Sequence, residues 1–203
     1  MNVLVACEFS GIVRDAFQKK GHNAYSCDVL PTERPNPNHI QDNVVNHLHD
    51  GWDMLIAFPP CTYLCVTGNK WMKPEFTERF PDRKERRNEA IEFFMRLFNC
   101  NIPKICIENP VGIMSTIFRK PDQYIHPYQF GERHSKKTGL WLKNLPKLKQ
   151  TKLVEPEFYK YKDGRNDPLW HVKTMKLDAH NRMKERSRTF EGIAEAMAEQ
   201  WHN

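Results

Sequence analysis

Two adjacent prolines, Pro59 and Pro60, stop the apolar run Met54-Leu55-Ile56-Ala57 and fix where the chain must turn. A proline has no N–H to give a sheet ladder, and its ring holds φ fixed. The predicted strand therefore ends at Phe58, and Cys61 is presented on a rigid loop beyond its carboxyl end. In open α/β sheets, ligands bind in the crevice outside that end of the strands. A thiol placed there is a candidate nucleophile. An isolated cysteine is more often a small packing residue, and both readings stand at this point.

The same pattern, an apolar run closed by polar or turn-forming residues, recurs along the chain. Residues 2–9 read as a buried parallel strand ending in Glu8-Phe9. Ser10-Gly11 makes a turn, and Ile12 to Phe17 continues with helical spacing toward a stop at Gly21. A second strand from Ala24 to Leu30 carries Asp28 near its end, before Pro31. In nucleotide-type folds an acid at that place accepts ribose hydroxyls, and a glycine in the first turn lets a cofactor approach. One glycine in place of a G-x-G-x-x-G pattern is a weak signal alone, and an acid at a strand end is more often simply solvated.

Pro31 to Asn38 is an irregular loop, Val44 to Leu48 a short amphipathic piece, and Trp52 to Phe58 the strand that delivers Cys61. Residues 62–82 have no clean period and form a loop long enough to serve as a lid or binding segment. Arg83 to Asn99 is the clearest helix, with Ile91, Phe94, Met95, Leu97 and Phe98 on its apolar face. Lys104-Ile105-Cys106-Ile107 is another buried strand, closed by Glu108-Asn109-Pro110. If that strand is a parallel neighbour of the one before Cys61, Glu108 and Cys61 emerge at the same sheet edge. A carboxylate beside such a thiol has little packing rationale.

Phe130 to Leu142 reads as loop then strand, and residues 133–152 hold seven Lys or Arg and no Asp or Glu. That bias suits a surface that contacts a polyanion backbone. Residues 153–185 place Tyr159, Tyr161 and Trp170 among basic residues with little period, as in a small recognition lobe. The last helix, Phe190 to Trp201, turns Ile193, Met197 and Trp201 inward to close the sheet.

Composition narrows the classes. A chain of 203 residues with 39% hydrophobic content builds one domain with at most a small appended lobe. The net charge of +6 leans toward a polyanionic partner. Six cysteines scattered through apolar runs do not make a compact disulfide framework and point to a reducing cytosol. Cys61 and Cys65 find no second pair that would complete a metal site, so no metal is expected. No run reaches the ~20 apolar residues that span a bilayer, and the N-terminus reads as a strand, not a signal peptide.

Taken together, these residues resemble the S-adenosylmethionine-dependent cytosine-C5 DNA methyltransferases, especially their small, phage-like members, in the family's order over most of the chain. Glu8-Phe9-Ser10-Gly11 resembles the cofactor loop, Asp28 the ribose-binding acid and Asp42 the adenine-contacting acid. Pro59-Pro60-Cys61 resembles the Pro-Cys nucleophile motif, and Glu108-Asn109 the Glu-Asn motif. The resemblance implies an α/β, Rossmann-like, doubly wound and mostly parallel sheet of the class I methyltransferase type, with a minimal recognition lobe. It implies a cofactor- and base-handling domain over 1–142, a small basic recognition region over 143–185, and a C-terminal helix over 186–203 that packs back on the first. It further implies S-adenosyl-L-methionine as cofactor, bound with Pro59 also in contact, and cytosine-containing DNA as partner, in the cytoplasm of a bacterial or phage-infected cell. Cys61 would add to C6 of the base and Glu108 would hold N3, with the site expected to lower the Cys61 pKa through nearby cations or helix termini.

At two places the chain departs from the family pattern. Where a Gln-x-Arg-x-Arg motif is expected, His134-Ser135-Lys136-Lys137-Thr138 has neither arginine, which leaves Lys136 as the donor to the base O2. The final Gly-Asn cofactor motif is replaced around Ser187-Arg188-Thr189-Phe190. Two alternatives follow: a degenerate methyltransferase fold that only binds nucleic acid or a nucleotide, and an enzyme that modifies a free cytosine nucleotide. A zinc cytidine deaminase is excluded, because no His-x-Glu occurs and Cys61 and Cys65 lack the Cys-x-x-Cys spacing.

Overall fold

Strands with no polar face must be covered on both sides, and the runs of wholly buried residues at Val3–Ala6 and Met54–Ala57 dictate such a layout. The computed structural model describes residues 1–202. Seven strands form one sheet: β1 (Asn2–Ala6), β2 (Asn23–Asp28), β3 (His39–Gln41), β4 (Met54–Ala57), β5 (Lys104–Pro110), β6 (Gln123–Ile125) and β7 (Thr138–Lys143). Their order is β3-β2-β1-β4-β5-β7-β6. The first five are mutually parallel, whereas β7 runs antiparallel to both β5 and β6. The fold is α/β, Rossmann-like and mostly parallel, with the strand order reversing between β1 and β4.

Alternate strand residues serve opposite faces. Val3, Val5, Met54, Ile56 and Cys106 face α1 (Ile12–Lys19) and the C-terminal helix, which share one core. Leu4, Ala6, Leu55, Ala57, Ile105 and Ile107 face α2 (Arg83–Phe98), which buries Phe94 and Leu97 fully and packs Ile91, Met95 and Phe98 at the margin. Beyond β5 lies the short helix α3 (Met114–Ile117). The basic region adds a two-stranded hairpin, β8 (Phe158–Lys160) with β9 (Asn166–Pro168), then α4 (Leu169–Met175) and α5 (Ala179–Ser187). The boundary expected between 185 and 186 falls inside α5. The chain returns through α6 (Glu191–Gln200), where Ile193, Met197 and Trp201 are buried against α1 as expected, and the Trp201 indole donates to Pro146 O at 2.9 Å. Among the described residues no helix is long and apolar enough to cross a membrane.

Three local readings are corrected. The first strand stops at Ala6 and not at Phe9, because Cys7 takes a left-handed backbone (φ 56°) that ends the ladder. The 62–82 segment is not bare loop but carries 3₁₀ turns at Val66–Met72 and Pro74–Phe76. Glu108-Asn109-Pro110 does not leave the sheet, because β7 supplies an antiparallel partner that pairs Glu108 with Leu140 and carries β5 on to Pro110.

Candidate active site

β4 and β5 are parallel neighbours in register, so their carboxyl ends open side by side. After Phe58 N bonds Ala6 O at 3.0 Å, the prolines turn the chain out of the sheet. The amides of Leu64 and Cys65 then both donate to Cys61 O at 3.0 Å, closing one helical turn. Buried Asn109 donates its Nδ2 to Pro59 O at 2.8 Å, tying the end of β5 to the proline loop. The same two loops are also joined through main chain: Val66 N donates to Val111 O at 3.1 Å and Ile113 N to Leu64 O at 2.8 Å.

Gly112 sits inside this joint, where an added Cβ would lie 2.1 Å from Leu64 O. That neighbour is backbone and cannot swing aside. Gly112→Ala is therefore expected to cost about 2–4 kcal/mol and to force the two loops apart, read as a lowered midpoint in urea unfolding.

Cys61 and Cys65 line one cavity of about 360 Å³ together with Lys136, Trp170, His171 and Arg186. Cys65 Sγ lies 3.0 Å from Thr67 Oγ1. Cys61 was expected to have a depressed pKa; the structure reverses this. The Cys65 partner first, then burial and the negative charge of Glu108, hold its thiol up, with only Lys136 opposing. Cys65 is the low member of the pair, brought down to about 5 chiefly by its Cys61 neighbour.

Glu108 lies in a small adjoining hollow with Phe58, Lys136, Thr138, Thr189 and Phe190. Burial raises its pKa, while Lys136 and the bond to Thr138 work the other way. Lys136 lines both spaces, so the structure brings together the three residues expected to handle the base. The ammonium of Lys136, however, is already committed to Arg186 O at 3.0 Å and lies 5.6 Å from the Trp170 ring centre.

Sequence reasoning missed Arg186 and Cys65 as members of this site. Arg186 arrives from α5, donates Nε to Thr174 Oγ1 at 2.9 Å, and leaves a buried Nη2 with no partner among the described residues. Its only sequence signal was a place in a basic stretch. Cys65 gave a signal in its four-residue spacing from Cys61, legible only once a helical turn was known to connect them.

A second cavity of about 350 Å³ opens on the other side of the proline loop, walled by Cys7, Asp28, Asp42, Pro60, Tyr63 and Phe93. Pro60 faces this cavity and the next residue, Cys61, faces the other. Asp28 takes Leu30 N on Oδ1 at 2.9 Å, and its Oδ2 makes no hydrogen bond among the described residues. Asp42 is exposed and engaged: it accepts from Asn43 N (2.6 Å), Asn46 Nδ2 (3.1 Å) and His47 Nε2 (3.1 Å). An apolar wall with one free carboxylate oxygen suits the ring and hydroxyls of a nucleoside.

The Glu8-Phe9-Ser10-Gly11 turn is built differently from the open approach expected of it. Gly11 is left-handed (φ 75°), and the space of its missing Cβ is taken by Arg14 Nη2 at 2.4 Å, with Arg34 Cβ at 3.2 Å. Arg14 is fully buried and fixes the turn by donating to Ser26 Oγ (2.9 Å) and Arg34 O (3.2 Å). Phe9 and Ser10 are buried. Glu8 Oε1 accepts from Ser10 Oγ (2.6 Å) and Val13 N (3.2 Å), capping α1, while Oε2 is buried and orphaned. This orphaned oxygen fits a cationic donor such as the ammonium end of S-adenosylmethionine.

Burial pushes the Glu8 carboxyl up to about 7 from 4.5. A raised carboxyl favours the neutral folded form, so stability present at acid pH is lost as pH rises from about 4.5 to 7, on the order of 3 kcal/mol in all. Glu8→Gln keeps an oxygen acceptor for Ser10 and Val13. It should flatten that slope and raise the thermal midpoint at pH 8, which calorimetry across pH 4–8 will show.

The chain matches no protein-family model. No curated protein is similar to it. Among solved structures it is similar to a candidate DNA modification methyltransferase encoded within a prophage, from E. coli, at 14% identity and a TM-score of 0.45. That match covers 70% of this chain and 46% of the other, so the present chain spans less than half of its length.

Proposed function

We propose that this protein transfers a methyl group from S-adenosylmethionine to carbon 5 of cytosine in DNA, through a covalent adduct between Cys61 and carbon 6 of the base. The observation that carries the reading is the joint between the two strand ends. Cys61 follows the end of β4 and Glu108 lies within β5, its parallel neighbour, the two joined by the bond from Asn109 to Pro59, and a nucleoside-sized cavity lies behind Pro60.

Carbon 5 of cytosine is a poor nucleophile until a thiolate adds at carbon 6. Cys61 makes that bond, and Glu108, whose pKa burial raises, gives a proton to N3 in its protonated form as negative charge grows in the ring. Bound S-adenosylmethionine supplies an electrophilic methyl group. Asp28 takes the hydroxyls of its sugar, and Glu8 Oε2 its ammonium. As C5 takes up the methyl group, N3 returns its proton to Glu108. Water in the open cavity then takes the C5 proton, the C–H electron pair re-forms the ring double bond, and the carbon–sulfur bond breaks to release Cys61 as a thiolate. The base reaches the Cys61 cavity by leaving its stack.

The basic region supports a polynucleotide partner. Tyr159 and Tyr161 stack edge to face at 4.8 Å on the exposed hairpin, with Arg165 over Tyr161 at 5.0 Å. Exposed rings beside cations hold bases and backbone together. Nucleoside mass spectrometry of DNA incubated with protein and S-adenosylmethionine tests the reading. 5-Methylcytosine in the digest is the expected product. Its absence, with methyl transfer only to free cytosine nucleotide or to nothing, rejects the reading.

A further inference from the structure

We propose that the Cys61 cavity takes its target as a nucleotide, with Arg186 and Lys137 holding a phosphate beside the base that Cys61 attacks. The inference rests on the reading of that cavity as the place of the target base, and it adds what is recognised besides the ring.

The two cavities that flank the proline loop differ in charge. The one behind Pro60 is walled by Asp28, Asp42 and Glu89 against a single cation, Arg86. The Cys61 cavity is lined by Lys136, Lys137 and Arg186, with His171 beside them, and among the described residues no Asp or Glu lines it. Cations on a concave wall with no acid among them concentrate an anion. A cytosine ring is uncharged at neutral pH, so the base itself gives this charge no partner. The phosphate next to the sugar of a nucleotide does. At about 360 Å³ the cavity also has the size of a small-molecule site, for which roughly 300–1,000 Å³ is usual.

Two of the three cations are idle. Arg186 spends only its Nε, on Thr174 Oγ1 at 2.9 Å; neither terminal nitrogen has a hydrogen-bond partner among the described residues, and Nη2 is buried. A half-used guanidinium away from water is costly to a fold until an acceptor arrives. Its planar fork matches two oxygens of a phosphate. The Lys137 ammonium lies 4.4 Å from the centre of the Tyr124 ring and has no carboxylate partner among the described residues. Lys136, by contrast, is committed to Arg186 O at 3.0 Å, and it is the cation shared with the adjoining Glu108 hollow. Arg186 and Lys137 are thus left for the ligand. Trp170, on the same wall, supplies an aromatic surface for the base.

Binding to the full chain without S-adenosylmethionine tests this, so its outcome does not depend on methyl transfer. NMR titrations compare deoxycytidine 5′-monophosphate with deoxycytidine. The nucleotide should bind roughly 10- to 100-fold tighter, the range of charge-assisted hydrogen bonds. Arg186→Gln should remove most of that difference and leave deoxycytidine binding as in wild type. Because Arg186 also holds Thr174, Lys137→Gln serves as a second variant with an exposed side chain, and it should weaken the nucleotide roughly 3- to 10-fold. Lys147→Gln, exposed in the same basic run but outside the cavity, should change neither ligand.

A single-stranded oligonucleotide with one cytosine separates the two sources of phosphate. If it displaces the nucleotide, the phosphate is the diester of a strand, and Arg186→Gln should make the slope of log affinity against log salt shallower by about 0.7. If the nucleotide binds and the strand does not displace it, the substrate is a free nucleotide: the DNA reading fails and the phosphate site stands. The proposal is overturned if nucleotide and nucleoside bind alike, if Arg186→Gln and Lys137→Gln leave their ratio unchanged, or if Lys147→Gln lowers it as much.

Discussion

Cys61→Ala protein is expected to transfer no detectable methyl group to DNA, a loss on the order of 10⁴-fold or more, because alanine at that place has no sulfur to form the bond to carbon 6. The same substitution should leave the fold intact. The turn that follows Cys61 is held by its carbonyl, which accepts from Leu64 and Cys65, and alanine keeps that carbonyl. The side chain is only half-buried, so its removal should shift the unfolding free energy by about 1 kcal/mol or less. Tritium incorporation from labelled S-adenosylmethionine, together with a urea unfolding curve, separates the two effects. A folded Cys61→Ala protein that still methylates cytosine would refute the covalent route.

The second large effect concerns Glu108. Glu108→Gln should lower the methylation rate about 10²- to 10⁴-fold, since an amide can hydrogen-bond N3 but cannot give it a proton. The variant should be no less stable than wild type. Burial disfavours the charged carboxylate and raises the Glu108 pKa, so the folded state prefers the neutral group, and stability is lost as pH rises through the range between the ordinary and the raised value. A neutral isostere escapes that loss. Activity and stability are thus expected to move in opposite directions at pH 8, the pattern of a residue kept for chemistry at some cost to the fold. The wild-type rate should fall on the alkaline side as Glu108 gives up its proton, and in Glu108→Gln that limb should vanish. A variant with an unchanged rate and an unchanged alkaline limb would remove Glu108 from the mechanism.

The core of this architecture was legible because parallel strands buried on both faces read as unbroken apolar runs. β1, β4 and β5 announced themselves in this way, and Gly11 and Pro59 located two of the loops, whereas Glu108 lies inside β5. The edge was not legible. β3 is His39-Ile40-Gln41, half-exposed and only three residues long, with nothing to distinguish it from loop. α5 buries none of its residues, so it has no apolar stripe to read, yet it delivers Arg186 to the site. The relation of Cys61 to Cys65 also stayed hidden, because spacing carries meaning only when the local conformation is known. Four residues apart in a loop says nothing; in a closed turn it makes neighbours. The cofactor turn illustrates the reverse problem. Gly11 reads in the sequence as the place where a cofactor approaches, but the space beside it is filled by Arg14 of this same chain.

Main-chain bonds from Val66 to Val111 and from Ile113 to Leu64 turn the two loops into a short ribbon of their own, set on top of the sheet. Such a ribbon is indifferent to most side chains, since its bonds use groups that every residue but proline carries. It is not indifferent to number. The thiol and the carboxyl are each a fixed count of residues from the ribbon: Cys61 three before Leu64, Glu108 three before Val111. Apart from Asn109 and Gly112, the letters around them can drift; the spelling length cannot.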